Sequence, residues 1–290
     1  MGGRDPIALL ADALDDLEKA IDFNKGKAAD THTVVAINGL SKPEVPVALG
    51  RYLVGALAGA VELDAKLSSQ LLAYGPDGHA EIQSTVTALV GTTNVFTTDG
   101  EIRFRDTKRN AWIGEGVGHA LLALSARQET SCTDGQVVTL KRVHPTATRQ
   151  GLDSVSTYVK AGVLGIAIGE SKSTQKYASG NLGEAIGLFV KLENGVYEQD
   201  LRDAVMSFRY VLSDDLKPQV SQELWKTNAA YLPMIVHETA YNFATSRPIL
   251  ASLRQPLERR RIIVVQLDDF HAFFDRVADA MRAAVDEVVI

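Results

Sequence analysis

The run Gly162–Lys172, GVLGIAIGESK, constrains this chain more than any other stretch. Val163 to Ile168 is continuously small and aliphatic, the pattern of a strand buried on both faces rather than one alternating between core and water. It then breaks abruptly into Glu170-Ser171-Lys172. In a strand, residues two apart share a face, so Glu170 and Lys172 point the same way as Leu164, Ile166 and Ile168. A carboxylate and an ammonium therefore emerge together from a core strand.

Upstream, Asp153–Val159 alternates polar residues with apolar or aromatic ones and reads as a partner strand. If Ala161-Gly162 is a two-residue hairpin loop, Lys160 pairs with Val163, and the register carries Asp153 directly opposite Glu170. Directly opposed residues share a face with Cβ atoms about 5 Å apart. A three-residue loop would slip the register by one and send the two carboxylates to opposite faces. Adjacent carboxylates repel and raise one pKa, a conflict that an oxygen-ligated Mg²⁺, or Mn²⁺ in its place, resolves. Lys172 beside such a cation is placed to hold a water nucleophile and to stabilise a developing oxyanion.

The remaining pattern is mixed. Ile7, Leu10, Leu14, Leu17 and Ile21 predict an amphipathic helix over residues 6–23, and an Ala/Leu-rich helix is expected over 47–72. Helices are also expected at 112–127, 177–193, 199–212, 218–225 and 270–286. Strands are expected at 33–37, 101–105, 137–143, 231–236 and 262–267, and the fold class is α/β, with helices flanking a central mixed sheet. The Asp99-Gly100 turn signal suggests a boundary near residue 95, dividing a mainly helical N-terminal region (1–95) from a second domain (96–290).

Composition excludes several function classes. The 290 residues are 46% hydrophobic and 23% charged, ordinary for a folded globular protein. No stretch offers the ~20 apolar residues of a bilayer span, and the acidic N-terminus is unlike a secretory signal. The single cysteine, Cys132, excludes an intramolecular disulfide and a multi-cysteine zinc site. A cytoplasmic location without membrane attachment is the expectation. The net charge of −6 does not advertise nucleic acid, but residues 137–176 carry six cations against Asp153 and Glu170, a local +4. Lys141, Arg142, Arg149 and Lys176 are the candidate phosphate contacts in that segment.

An Asp, then Glu-x-Lys at the ends of adjacent strands, after a helix bearing an acidic residue, resembles the PD-(D/E)XK nuclease superfamily with its restriction-endonuclease-like core. GLDSVSTY, LGIAIGESKST and IGEGVGHALLAL look more particularly like the HamA family, nuclease components of Hachiman antiphage defence systems. The likeness covers roughly residues 100–290; Asp153 follows Gly151-Leu152 rather than proline. It implies a DNA nuclease with Asp153 and Glu170 as metal ligands, Glu115 completing the site from the helix, Lys172 acting on the attacking water, and a helicase, HamB, as partner. The alternative reading is a catalytically silent nuclease-fold module that docks a helicase. His119, one turn after Glu115, is expected to be a packing residue, and Gln175 or Lys176 could assist the site. Gly114-Glu115-Gly116-Val117-Gly118 lacks the spacing of a dinucleotide loop, Arg259-Arg260-Arg261 reads as a solvated edge, and His237-Glu238 lacks the second histidine of a zinc helix.

Overall fold

In the computed structural model, which describes residues 4–59, 78–128, 132–147 and 151–288, the chain enters through a capped helix. The Asp5 carboxylate accepts the Ile7 N–H (2.8 Å) and Pro6 opens α1, Pro6–Ala20. These features satisfy the otherwise unpartnered first turn of a helix. A hairpin follows, of β1 (Asp22–Ala28) and β2 (Thr33–Asn38), then α2 (Val45–Leu57) and α3 (Gly78–Val90). The second half of the helix expected over 47–72 lies outside the described residues. Strand β1, DFNKGKA, is polar because it lies at the edge of the sheet, and so it has no core-facing apolar pattern to announce it.

The strand expected at 101–105 is instead the helix α4, Asp99–Phe104, running through one π turn (Arg105–Arg109) into α5, Asn110–Leu124. The Thr98 hydroxyl accepts the Glu101 N–H (3.3 Å), and the Glu101 carboxylate accepts the Thr97 and Thr98 N–H groups (2.8 Å each). This capping box overrides the short alternation in Glu-Ile-Arg-Phe-Arg.

Next come β3 (Gln136–Leu140), β4 (Ser154–Lys160), β5 (Val163–Thr174), α6 (Ala178–Glu193) and α7 (Glu198–Val211). The helix expected at 218–225 is a short 3₁₀ turn, Lys217–Gln219, followed by the brief α8, Leu224–Asn228. The chain closes with β6 (Ala229–His237), α9 (Pro248–Ala251), β7 (Arg261–Gln266) and α10 (Phe270–Glu287).

The seven strands make one mixed sheet in the order β1-β2-β7-β6-β5-β4-β3. The central four, β2, β7, β6 and β5, are mutually parallel, and β1, β4 and β3 run antiparallel to their neighbours. One face packs α1, α2, α3, α5 and α10 on Val35, Ala167, Leu232, Met234 and Ile263. The other packs α6, α7 and α8 on Val155, Leu164, Ile166, Ile168 and Ile235. Helices on both sides explain why β5 and β6 read as unbroken apolar runs.

Sheet and core continue across the position expected to divide two domains. β2 pairs with β7 from Thr33–Arg261 to Ile37–Val265, and α2 lies so close on α10 that a Cβ at Gly50 would stand 2.5 Å from that of Ala280. The N-terminal region thus supplies two strands of the sheet besides its helices. Among the described residues no helix is long and apolar enough to cross a membrane.

Candidate active site

Two carboxylates meet where the β4–β5 hairpin opens. Its turn is the two-residue loop Ala161-Gly162, both with positive φ (49° and 78°), the twist that matches paired antiparallel strands. Lys160 pairs with Val163, and the ladder runs without a bulge to Ser154–Gly169. One step further, Asp153 stands across from Glu170. The Asp153 Oδ2 accepts the Ser171 N–H at 2.8 Å, so the aspartate closes onto β5 just past the end of the ladder. β5 outruns β4 because β6 continues to pair with it, from Glu170–Pro233 to Thr174–His237.

The Glu170 side chain is buried, 5% exposed. Its Oε1 is ion-paired to the Lys172 Nζ at 2.8 Å, as residues two apart on a strand allow. Its Oε2 is buried without a hydrogen-bond partner. A buried carboxylate with one oxygen that meets no N–H or O–H donor, beside a second, partly buried carboxylate, is costly unless the pair shares a proton or a cation. Burial, then the charges of Glu170 and Glu115, push the Asp153 carboxyl up to about 9. Burial also raises Glu170, against the opposing pull of Lys172 and a hydrogen bond with the Asp153 carboxyl. The pair therefore titrates as a unit and retains a proton near neutrality. Lys172 is raised as well: burial opposes its charge, but Glu170 and Asp153 outweigh it.

Glu115 comes from α5, on the opposite face of β5. The helix runs antiparallel to the strand and nearly touches it, since a Cβ at Gly114 would lie 1.8 Å from the Ser173 Oγ and one at Gly118 2.5 Å from the Ser171 Oγ. Four helical residues and two strand residues both advance about 6 Å, which keeps the two contacts in step. Gly116 makes room for Leu53. The glycines of GEGVG are thus explained by helix–sheet and helix–helix contact. Burial and the neighbouring Glu170 push Glu115 up to about 7.

Among the described residues, no three His, Cys, Asp or Glu side chains are gathered into a ready-made metal cage. Glu115 is thus an electrostatic neighbour of the Asp153–Glu170 pair, not drawn together with it into a ligand set. The pair itself suits a small hard cation: Mg²⁺ commonly takes one or two protein carboxylates and keeps several waters. The unpartnered Glu170 Oε2 is the observation that fits. Glu184 on α6, which the sequence reading missed, raises both Glu170 and Lys172 by its charge. An exposed acid in mid-helix gave no signal in sequence.

His119 is a packing residue. Its Nε2 donates to the Lys141 carbonyl (2.9 Å), which leaves Nδ1 to accept from the Tyr52 hydroxyl (2.7 Å). Burial pushes it down to about 4, so the imidazole is neutral. Lys141 and Arg142 lie at the same end of the sheet as Asp153, the Lys141 N–H bonding to the Val155 carbonyl (2.9 Å). Arg142 is exposed, as is Lys176 beyond the end of β5. Arg149 lies outside the described residues.

The Gln175 amide approaches the Glu238 carboxylate (3.3 Å), and Glu238 accepts the Phe270 N–H at the start of α10 (2.9 Å). Buried His237 contacts the Thr239 carbonyl through Nδ1 (2.8 Å). The arginine triplet is only partly a solvated edge: Arg261 is buried and bonds the Thr133 carbonyl (2.7 Å) and Asp134 (2.6 Å). No protein-family model matches the chain, and no curated protein is significantly similar to it.

Proposed function

We propose that this chain is a metal-dependent deoxyribonuclease of the PD-(D/E)XK type, of the HamA kind, controlled by a helicase partner in antiphage defence. The observation that carries the reading is the Asp153–Glu170 pair, its glutamate buried with an oxygen that meets no N–H or O–H donor, and Lys172 on the same face. A buried acid, a partly buried one and an ammonium at the end of an inner strand make a poor structural element. They make a good site for hydrolysing a phosphodiester.

Asp153 and Glu170 would hold the cation, Mg²⁺ or Mn²⁺. When bound, such an ion lowers the pKa of water and offsets charge on the phosphate. Lys172, held by the Glu170 Oε1, orients the attacking water and faces the charge that develops on the phosphate oxygens. The Ser171 N–H fixes the Asp153 carboxylate in place, so little reorganisation is needed during the reaction. Glu115 and Glu184 deepen the local negative potential that attracts a cation.

Supercoiled plasmid incubated with the purified chain tests this reading. Nicking or degradation is expected in Mg²⁺ or Mn²⁺, none in EDTA, and none with Glu170→Gln or Lys172→Ala. Undiminished cleavage by folded Glu170→Gln protein would overturn the assignment.

A further inference from the structure

The fold leaves a cavity beyond the end of β5, against the first turns of α5 and α10. Its volume is about 370 Å³, and its lining includes Asp106 in the π turn, Asn110 at the start of α5, Ser173, Lys176 and Tyr177 at and beyond the end of β5, and His271 on the first turn of α10. Such a volume is at the small end of ligand pockets, roughly 300–1,000 Å³. A single nucleotide unit fits that scale, and a stacked base pair does not.

Asn110 is 1% exposed, and its amide orientation is fixed. The Arg109 Nε donates to the Asn110 Oδ1 at 3.0 Å, and Arg109 is itself locked by Asp275 (2.6 Å) and Asn94 (3.0 Å). That leaves the Nδ2 donor of Asn110 without a partner. The Ser173 Oγ and the His271 Nδ1 are likewise buried and unpartnered. Three residues of one cavity lining thus each carry a buried polar atom without a protein partner, which a ligand entering with a small side-chain rotation can satisfy.

At the rim the Tyr177 ring is 74% exposed, and it lies over Gly180, which has no side chain to displace it. An exposed aromatic face, an adjacent ammonium and amide, hydroxyl and imidazole side chains on the lining are the set that takes a nucleic-acid unit. The ring stacks a base, the ammonium meets a phosphate, and the buried groups meet a base edge.

We infer that this cavity holds one unpaired nucleotide of the substrate strand. The inference rests on the nuclease reading and narrows its substrate to DNA with unpaired bases. Ser173 follows Lys172 directly, so one strand segment serves both the acidic pair and the cavity. A base in an intact duplex is stacked and paired on both sides and must be unstacked before it can enter.

Binding of a fluorescent 12-nucleotide oligothymidylate and of the matching duplex, measured by anisotropy in EDTA with the Glu170→Gln protein, tests the site without cleavage. The single strand should bind about tenfold or more tighter than the duplex. Tyr177→Ala, which removes an exposed ring and no core contact, should weaken the single strand about tenfold while sparing the duplex, the usual effect of losing one base-stacking aromatic. Asn110→Ser should add to that loss. Equal affinity for both DNAs, or an unchanged single-strand affinity in Tyr177→Ala, would overturn the inference. Failure of the nuclease reading itself would show separately, as metal-dependent cleavage that survives Glu170→Gln.

Discussion

Replacing Asp153 by asparagine should make the metal-free protein more stable while destroying its activity. The side chain keeps its size, and its oxygen can still accept the Ser171 N–H. What disappears is an acid whose ionisation the fold resists, through burial and the neighbouring Glu170 charge. Two unit charges about 5 Å apart repel by about 3 kcal/mol at an effective dielectric of 20. Because the folded-state pKa of Asp153 is about 9, well above its unfolded value near 3.9, folding favours the protonated acid. The resulting stability is fully present below pH ~4 and drains away as pH rises toward ~9. Asparagine does not titrate, so the variant should match the parent near pH 4 and exceed it by about 1.4 kcal/mol for each pH unit above that, on the order of 5 kcal/mol at pH 8 and roughly 10 °C or more in melting temperature. Thermal melts in EDTA from pH 4 to 9 would show this divergence, and millimolar Mg²⁺ should reverse it by stabilising only the parent. A variant less stable than the parent at pH 8 in EDTA would refute the claim that Asp153 is a charge the fold alone holds at a loss.

Three further outcomes follow from individual contacts. Gly114→Ala should cost about 1–3 kcal/mol by pressing a methyl onto the Ser173 Oγ, and Ser173→Ala should restore much of it, measured by urea denaturation of the single and double variants. His119, held neutral at about 4 against an unfolded value near 6.5, contributes stability above pH ~6.5 that is lost as pH falls toward 4. His119→Gln should remove up to about 3 kcal/mol of that acid sensitivity in melts over pH 4–7. Reversing Lys141 and Arg142 to glutamate should weaken DNA binding and flatten its salt dependence by about one to two phosphate contacts, leaving Mn²⁺ binding unchanged in titrations of the same protein.

The acidic pair was legible because it depends on a short-range rule. With strand period two and a two-residue turn, Val163 to Glu170 and Asp153 to Lys160 leave a single register, and the structure adopts it. The α/β layering was legible for a similar reason, since β5 and β6 are apolar on both faces. Failures arose where the deciding contacts are distant or local caps compete. Strand β1 has no apolar signature and exists by pairing with β2. Residues 101–105 alternate like a strand, but Thr98 and Glu101 cap a helix there. The glycines around Glu115 lack the spacing of a dinucleotide loop, but their role depends on Ser171 and Ser173, on a strand distant in sequence that packs against Gly114 and Gly118. The charge of Glu184 reaches Glu170 only because α6 folds back over the sheet, which no local pattern encodes.

Titration of the metal-free protein with Mn²⁺ by calorimetry, in two buffers of different ionisation enthalpy at pH 7.5, tests the central claim most directly. The account predicts a metal site on Asp153 and Glu170 whose occupation releases the proton the pair retains, and predicts that Glu170→Gln loses that binding. Mn²⁺ binding of equal strength in folded Glu170→Gln protein, or none by the parent, would contradict it.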